Sequence, residues 1–316
     1  MVSEELARLV SDLKSLRGLK LGKARRCVKD TSLVVIPIIR EVVGERRYRV
    51  LEEVRKGVSI RDVGSVEGLS VSSKVEFPVL IRGGVMLRGG TQPRAVKYSV
   101  VVEPLKKLRL RVACIHAIMP VYVGASLKAD LDVPERIHRA RLARRDQWEV
   151  WRMVDEYARE RLSSEEIAEH GGSPDLSRTV KARVKSVRDV ARKFPRVEGQ
   201  VGFALVGPDG VYAVEVYDHP DSWAAVSKKV ALKYAELVLE KKGERPTRRK
   251  ALRELHKFLD EVLKCFEEEV HRGARSYTRL LDSDDLHGEY TVLDGEIIHF
   301  LAFKAEDWIE ELERGE

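Results

Sequence analysis

Val79-Leu80-Ile81-Arg82-Gly83-Gly84-Val85-Met86-Leu87-Arg88 sets the strand texture from which the rest of the chain can be read. Two short apolar runs flank a glycine pair, and glycine takes positive φ at both centres of a tight turn without steric cost. The spacing predicts a two-residue β-hairpin over 79–88. Outward from it, 32–39 is a continuous apolar run and 58–63 alternates, while 96–103 and 108–116 meet near Pro104. Together these runs predict an antiparallel sheet or sandwich.

On both sides the period changes. Residues 3–16 place Leu6, Leu9, Val10 and Leu13 on one helical face. A helix is expected from Asp132 or Pro134 toward Arg145, and another carries Gln147, Val150, Trp151, Val154 and Ala158 on one face. Ser163 and Glu166 form a capping box for a short helix ending near Gly171-Gly172, and 175–194 reads as a strongly basic helix. Strands at 200–206 and 211–217 then surround a Pro208-Asp209-Gly210 turn. Asp221 or Ser222 caps a helix to about Glu240, and Thr247 caps another to about His271. Strands at 277–281, 289–293 and 296–304 close the chain, with Asp294-Gly295 as the last hairpin turn. The expected class is α+β: an antiparallel β-rich N-terminal half, central helices, and a second α+β unit at the C-terminal end. One domain over 18–304 is expected, either undivided or as a β-rich part (18–125) and an α+β part (126–304). An acidic helix is expected over 305–316.

Composition narrows the classes. With 316 residues, 43% apolar and 34% charged, the chain is globular and long enough for a sizeable core. No run of about 18 apolar residues suggests a membrane span, and the opening residues read as an amphipathic helix rather than a signal segment. A cytoplasmic location without membrane contact is expected. Cys27, Cys114 and Cys265 are far apart and show no zinc-ligand spacing, so they read as small buried residues, with no metal and no cofactor.

A net charge of +7 permits binding to phosphates or nucleic acid, with positive charge concentrated at 136–145, 178–196 and 241–250. The same charge also suits the solvated ion-pair surface of a heat-adapted protein. The chain has three Gln and no Asn, and loss of thermolabile amides alongside abundant Lys, Arg and Glu marks growth at high temperature. The retained Gln92, Gln147 and Gln200 are therefore candidates for required hydrogen bonding.

Four constellations can carry chemistry. In Gly89-Gly90-Thr91-Gln92-Pro93-Arg94 the glycines let backbone amides approach a ligand, and the Arg94 fork matches phosphate or carboxylate. In extended chain Gln92 and Arg94 point to one side; the plainer reading is a glycine turn with an exposed arginine. Cys114-Ile115-His116 puts a thiol and an imidazole on one face of a strand end, as a nucleophile and its base or as a packed cysteine beside a surface histidine. Gln147 starts the helix that bears Trp151 and can reach a neighbouring cleft, although paired tryptophans also suit core packing. Glu215-Val216-Tyr217-Asp218-His219-Pro220-Asp221 places carboxylates and an imidazole at a strand-to-helix junction, for acid–base work or simply for capping. A fifth, weaker pattern is Glu268 and His271, whose ExxH spacing needs a helix. Nucleophile elbows, phosphate-binding loops, dinucleotide glycine fingerprints, zinc-protease helices and kinase signatures are all absent from the sequence. Aromatics make up only 6% of residues, and the basic runs lack a stacking platform.

Six of these segments, in order, resemble one family. They are Gly89-Gly90-x-Gln92-x-Arg94, Val112-Ala113-Cys114, Gln147-x-x-Val150-Trp151, Gly199-Gln200-Val201-Gly202, Tyr217-Asp218-x-Pro220 and Ile298-His299-Phe300. The chain is similar, over about 18–304, to the ARG-and-rhodanese-phosphatase-superfamily-associated protein domain, a domain of unknown function. Where that family has Cys-Val-Glu this chain has Cys114-Ile115-His116, and Tyr217-Asp218-His219-Pro220 stands for its Phe-Asp-Ser-Pro. The family's association with ADP-ribosylglycohydrolases and phosphatase-like proteins implies a link to NAD or ADP-ribose metabolism. The resulting expectation is an anionic, nucleotide-derived ligand. Gly89, Gly90 and Arg94 would hold phosphate, and Gln92, Gln147, Trp151 and Gln200 would line the site. Asp218, His299 or His116 would be the acid–base candidates. The alternatives are a nucleic-acid or ribonucleoprotein module using the basic helices, and a non-catalytic scaffold.

Overall fold

The computed structural model describes residues 2–89, 92–116, 123–140, 142–169 and 175–305. These divide into two compact units, one of residues 1–47 with 187–305 and one of residues 48–186. Gly90, the 171–172 glycine pair and the expected acidic helix lie outside the described residues.

In chain order the first unit opens with α1 (Glu4–Ser15), β1 (Leu19–Leu21) and β2 (Val34–Arg40). The second contains β3 (Arg49–Val50), β4 (Val58–Ser65), β5 (Gly68–Ser73), β6 (Val79–Ile81), β7 (Val85–Arg88), β8 (Arg94–Val96), β9 (Val100–Val102), β10 (Lys107–Cys114) and β11 (Ser126–Asp132). Its helices follow: α2 (Glu135–Arg139), α3 (Gln147–Arg159), α4 (Ser164–Glu169) and the start of α5 (Leu176–Ala191). The chain then returns to the first unit with β12 (Gln200–Gly207), β13 (Gly210–Tyr217), α6 (Pro220–Glu240), α7 (Arg248–Val262), β14 (Phe266–Arg272), β15 (Ser276–Asp282), β16 (Leu286–Leu293) and β17 (Glu296–Lys304). The class is α+β, as the texture of the sequence predicts.

The first unit is an eight-stranded antiparallel sheet in the order β1-β2-β12-β13-β17-β16-β15-β14. Alternation gives it two faces. Val214, Val216, Phe300 and Ala302 turn toward Leu6, Val10 and Leu13 of α1 and Leu255 and Leu259 of α7. Phe203 turns the other way, its ring 5.1 Å from Tyr234 and 5.7 Å from Trp223 of α6. Asp294 (φ 53°) and Gly295 (φ 76°) make the last turn with positive φ at both centres, as a two-residue hairpin requires.

The second unit is a closed barrel, β10-β5-β4-β11-β7-β8, accompanied by a three-stranded sheet β3-β6-β9. Ile60, Leu69, Val71, Leu87, Val96, Leu110 and Val112 belong to one apolar cluster. The intervening Met86, Ala95 and Ala113 pack instead with Val150, Met153, Val154 and Tyr157 of α3. Strand parity therefore separates a lumen from a helix-covered wall.

Several expectations fail locally. Residues 79–88 are not a hairpin, because β6 pairs with β3 and β9 while β7 pairs with β8 and β11. Gly84 has φ +77° and Gly83 is not in the positive region, whereas a tight hairpin turn needs positive φ at the first centre. The glycines instead carry the chain from one sheet to the other, with the Gly83 N–H donating to Ser99 Oγ at 2.9 Å. Strand β11 was not foreseen. The helix expected toward Arg145 ends at Arg139. Beyond it the Arg145 carbonyl accepts from Lys97 Nζ at 2.7 Å, and Asp146 starts a new capping box with Glu149. The Thr247 cap is present, but its helix stops at Val262, and 266–272 is an edge strand that carries Glu268 and His271, so the helical ExxH pattern does not exist. Three consecutive glutamates there blunt the sheet edge. His219, not Asp221 or Ser222, caps α6, its Nδ1 accepting from the Asp221 N–H at 3.1 Å.

Candidate functional site at the Cys114 end of the barrel

Cys114 ends β10 directly opposite Arg94, the first residue of β8. Both share the parity of lumen residues, Cys114 with Val112 and Arg94 with Val96, so their side chains enter the barrel. Asp62 does the same from β4, two residues beyond the lumen residue Ile60. Arg94 has 0% exposure, and its Nη2 reaches Asp62 Oδ2 at 3.4 Å while Nη1 points to the Cys114 sulfur at 3.7 Å. An arginine buried in an apolar barrel needs such a countercharge.

Two of the retained amides converge on the same residue. Gln92 Oε1 lies 3.5 Å from the Cys114 sulfur, and Gln92 is buried. Gln147, at the first turn of α3, brackets the Cys114 peptide: its Oε1 accepts from the Cys114 N–H and its Nε2 donates to the Cys114 carbonyl, both at 2.8 Å. The amide thereby extends the strand's hydrogen bonding past the end of β10, where an unpaired peptide would be costly. His116 forms an isolated bridge with Asp175, whose Oδ1 accepts from the Ser177 N–H at 2.9 Å at the start of α5.

The thiol is not poised as a nucleophile. Burial raises the Cys114 pKa, and this outweighs the opposing influence of a hydrogen bond at the His116 backbone, the Arg94 charge and the Trp151 indole. Reactive cysteines show the opposite balance. The S–H donates to the His116 carbonyl at 3.0 Å.

A more informative feature is what remains unbonded. Arg94 Nε, His116 Nδ1 and Ser177 Oγ are buried and lack a hydrogen-bond partner among the described residues. All three belong to the segments that surround Cys114. Each such group costs about 1–3 kcal/mol when left unsatisfied; such atoms also occur in the first unit, at Arg40 and Ser276.

The other candidate residues lie elsewhere. A side chain at Gly89 (φ +124°) would meet the Ser126 carbonyl at 2.3 Å, so the close approach this glycine permits is to the barrel's own β11. Gln200 belongs to the first unit and spends its amide locally, accepting from the Val197 N–H at 3.1 Å and donating to the Gly202 carbonyl at 3.0 Å. Asp218 faces Arg47 at 3.8 Å. His299 is buried, with its ring nitrogens 3.7 Å from Glu215 and 4.0 Å from Glu289. Glu215 is already engaged there by the Tyr217 hydroxyl at 2.9 Å, the Tyr234 hydroxyl at 3.4 Å and Lys233 Nζ at 3.7 Å. No group of three or more His, Cys, Asp or Glu side chains suited to a metal ion occurs among the described residues.

Sequence reasoning missed Asp62, Asp175 and Ser177. Asp62 carried a signal, being a carboxylate at an inward position of an alternating strand. Some cations of the basic stretches are paired: Arg136 with Glu160, Arg139 with Glu135, Arg145 with Glu149, Lys181 with Asp130 and Arg192 with Asp189.

A model of the ARG and Rhodanese-Phosphatase-superfamily-associated Protein domain matches residues 19–303, and the chain belongs to that family. No curated protein and no solved structure matches it. No helix among the described residues is long and apolar enough to cross a membrane.

Proposed function

We propose that this member of the family binds an anionic, nucleotide-derived small molecule of the ADP-ribose and NAD class at the Cys114 end of its barrel. The observation that carries the reading is the set of buried polar atoms on Arg94, His116 and Ser177 that have no partner among the described residues. Arginine Nε is a donor only, and the hydroxyl and imidazole can also donate. Groups able to donate beside a buried guanidinium suit ligand oxygens. Arg94 is the charge beneath the site rather than an open fork, since its two Nη groups already serve Asp62 and Cys114. Gln92 and His116 form the ribose- or base-reading side, and Gln147 holds the Cys114 peptide in place. The choice of ligand class draws on the family's association with ADP-ribosylglycohydrolases.

Calorimetry against ADP-ribose, NAD and AMP tests this. Binding to at least one is expected, lost in Gln92→Ala and retained in Gln200→Ala. Flat heats for all three with folded protein would end the reading.

A further inference from the structure

In the first unit several cations are gathered on two adjacent loops. Residues 26–30 and the α6–α7 connection together line an open concavity of about 830 Å³, with Arg26, Lys29, Lys242 and Arg245 against only Asp30 and Glu244. None of these six side chains makes a hydrogen bond or an ion pair among the described residues. Four cations are thus gathered here without partners among the described residues.

The two loops that carry them are fastened together. The Lys241 carbonyl accepts from the Ser32 N–H at 2.9 Å and from Thr31 Oγ1 at 3.0 Å, and the Gly243 N–H donates to the Asp30 carbonyl at 3.3 Å. Thr31 and Lys242 form a β-bridge, and Gly243 takes φ +124°, which favours glycine at that crossing. The charges are therefore held close by the backbone, and their mutual repulsion persists in the free protein.

The following helix repeats the imbalance. The first turn of α7 has no acidic residue and carries Arg248, Arg249 and Lys250. Cations at a helix N-terminus oppose the helix dipole, and an anion there relieves the opposition. No aromatic side chain lines the concavity, so stacking on bases is not available.

We infer that this loop pair is a docking surface for the phosphate backbone of a nucleic acid, read without sequence preference. The open, exposed shape suits an extended polyanion rather than an enclosed metabolite. The inference is independent of the barrel site, which lies in the other unit.

The test is fluorescence anisotropy of a labelled single strand of about 20 uridines across roughly 50–300 mM KCl. Wild type is compared with a Lys29→Glu/Lys242→Glu/Arg245→Glu variant and with an Arg183→Glu/Lys185→Glu/Arg188→Glu variant of α5, each checked for fold by circular dichroism. The expected log–log salt slope is about −3 for wild type, and the loop variant should flatten it to about −1 with at least a tenfold loss of affinity. The α5 variant should bind like wild type. No binding at the lowest salt, equal binding by the loop variant, or an equal loss in the α5 variant would each overturn the inference. So would equal affinity for poly-glutamate, because the surface would then select charge and not phosphodiester.

Discussion

The two most deeply buried arginines of the 48–186 unit are treated in opposite ways. Arg82 is 1% exposed and saturated: Nη1 and Nη2 bond both oxygens of Asp132 at 2.9 and 2.8 Å, while Nε and Nη2 bond Glu52. Arg94 is equally buried yet has one carboxylate at 3.4 Å, a sulfur at 3.7 Å and an unbonded Nε. A guanidinium enclosed by two carboxylates is a structural clamp joining elements distant in sequence. One left with spare donors has capacity for a further partner, and the neighbouring unbonded groups share that property.

The largest expected effect is from Arg82→Met. It strands the Glu52 and Asp132 carboxylates inside the fold and should lower stability by about 3–5 kcal/mol in urea denaturation. Ligand heats, measured where the variant is folded, should be unchanged.

Arg94→Met should cost less, about 1–3 kcal/mol, because a single longer ion pair is lost, and it should abolish ligand binding. An Arg94 cost equal to that of Arg82 would erase the distinction between clamp and site.

Gln147→Ala follows at about 1–2 kcal/mol, since both polar groups of the Cys114 peptide lose their partner. Hydrogen exchange at the Cys114 amide should accelerate, whereas the β6 amides beside Arg82 should keep their protection.

The smallest effect sharpens the contrast through the thiols. Burial pushes Cys27 up to about 12, opposed only by Lys193, while Cys114 is raised against the pull of Arg94. A folded-state thiol with a raised pKa keeps its proton after the unfolded thiol, near 8.5, has lost its own. The folded state then binds more protons, so the contribution is complete below about pH 8.5 and declines as pH rises toward 12. Wild type should lose about 1 kcal/mol more per pH unit than Cys27→Ala between pH 9 and 10.5, with a shallower difference for Cys114→Ala.

Much of the candidate site was legible in the sequence, for identifiable reasons. Gln92 and Arg94 were expected on one side of an extended segment, and both reach Cys114. Gln147 was expected at a helix start facing a cleft, and it reaches a strand end. Gln200 shows where amide retention misleads: a glutamine can be kept for its own turn. The Arg94 fork was expected to face a ligand, but a lumen position and Asp62 turned it inward, and neither follows from local spacing.

Period, caps and positive-φ turns were readable because their causes lie within a few residues. Ser163 with Glu166, Thr247, and Asp294-Gly295 all hold in the structure. The fate of Gly83-Gly84, the strand nature of 266–272 and the saturation of Arg82 over Arg94 depended on partners 30 or more residues away in the clamp's case and on neighbouring strands in the others. Local chemistry specifies which backbone shapes a segment tolerates. Which carboxylate meets which guanidinium is set when distant strands close into a barrel, because only then does burial force each charge to find its partner.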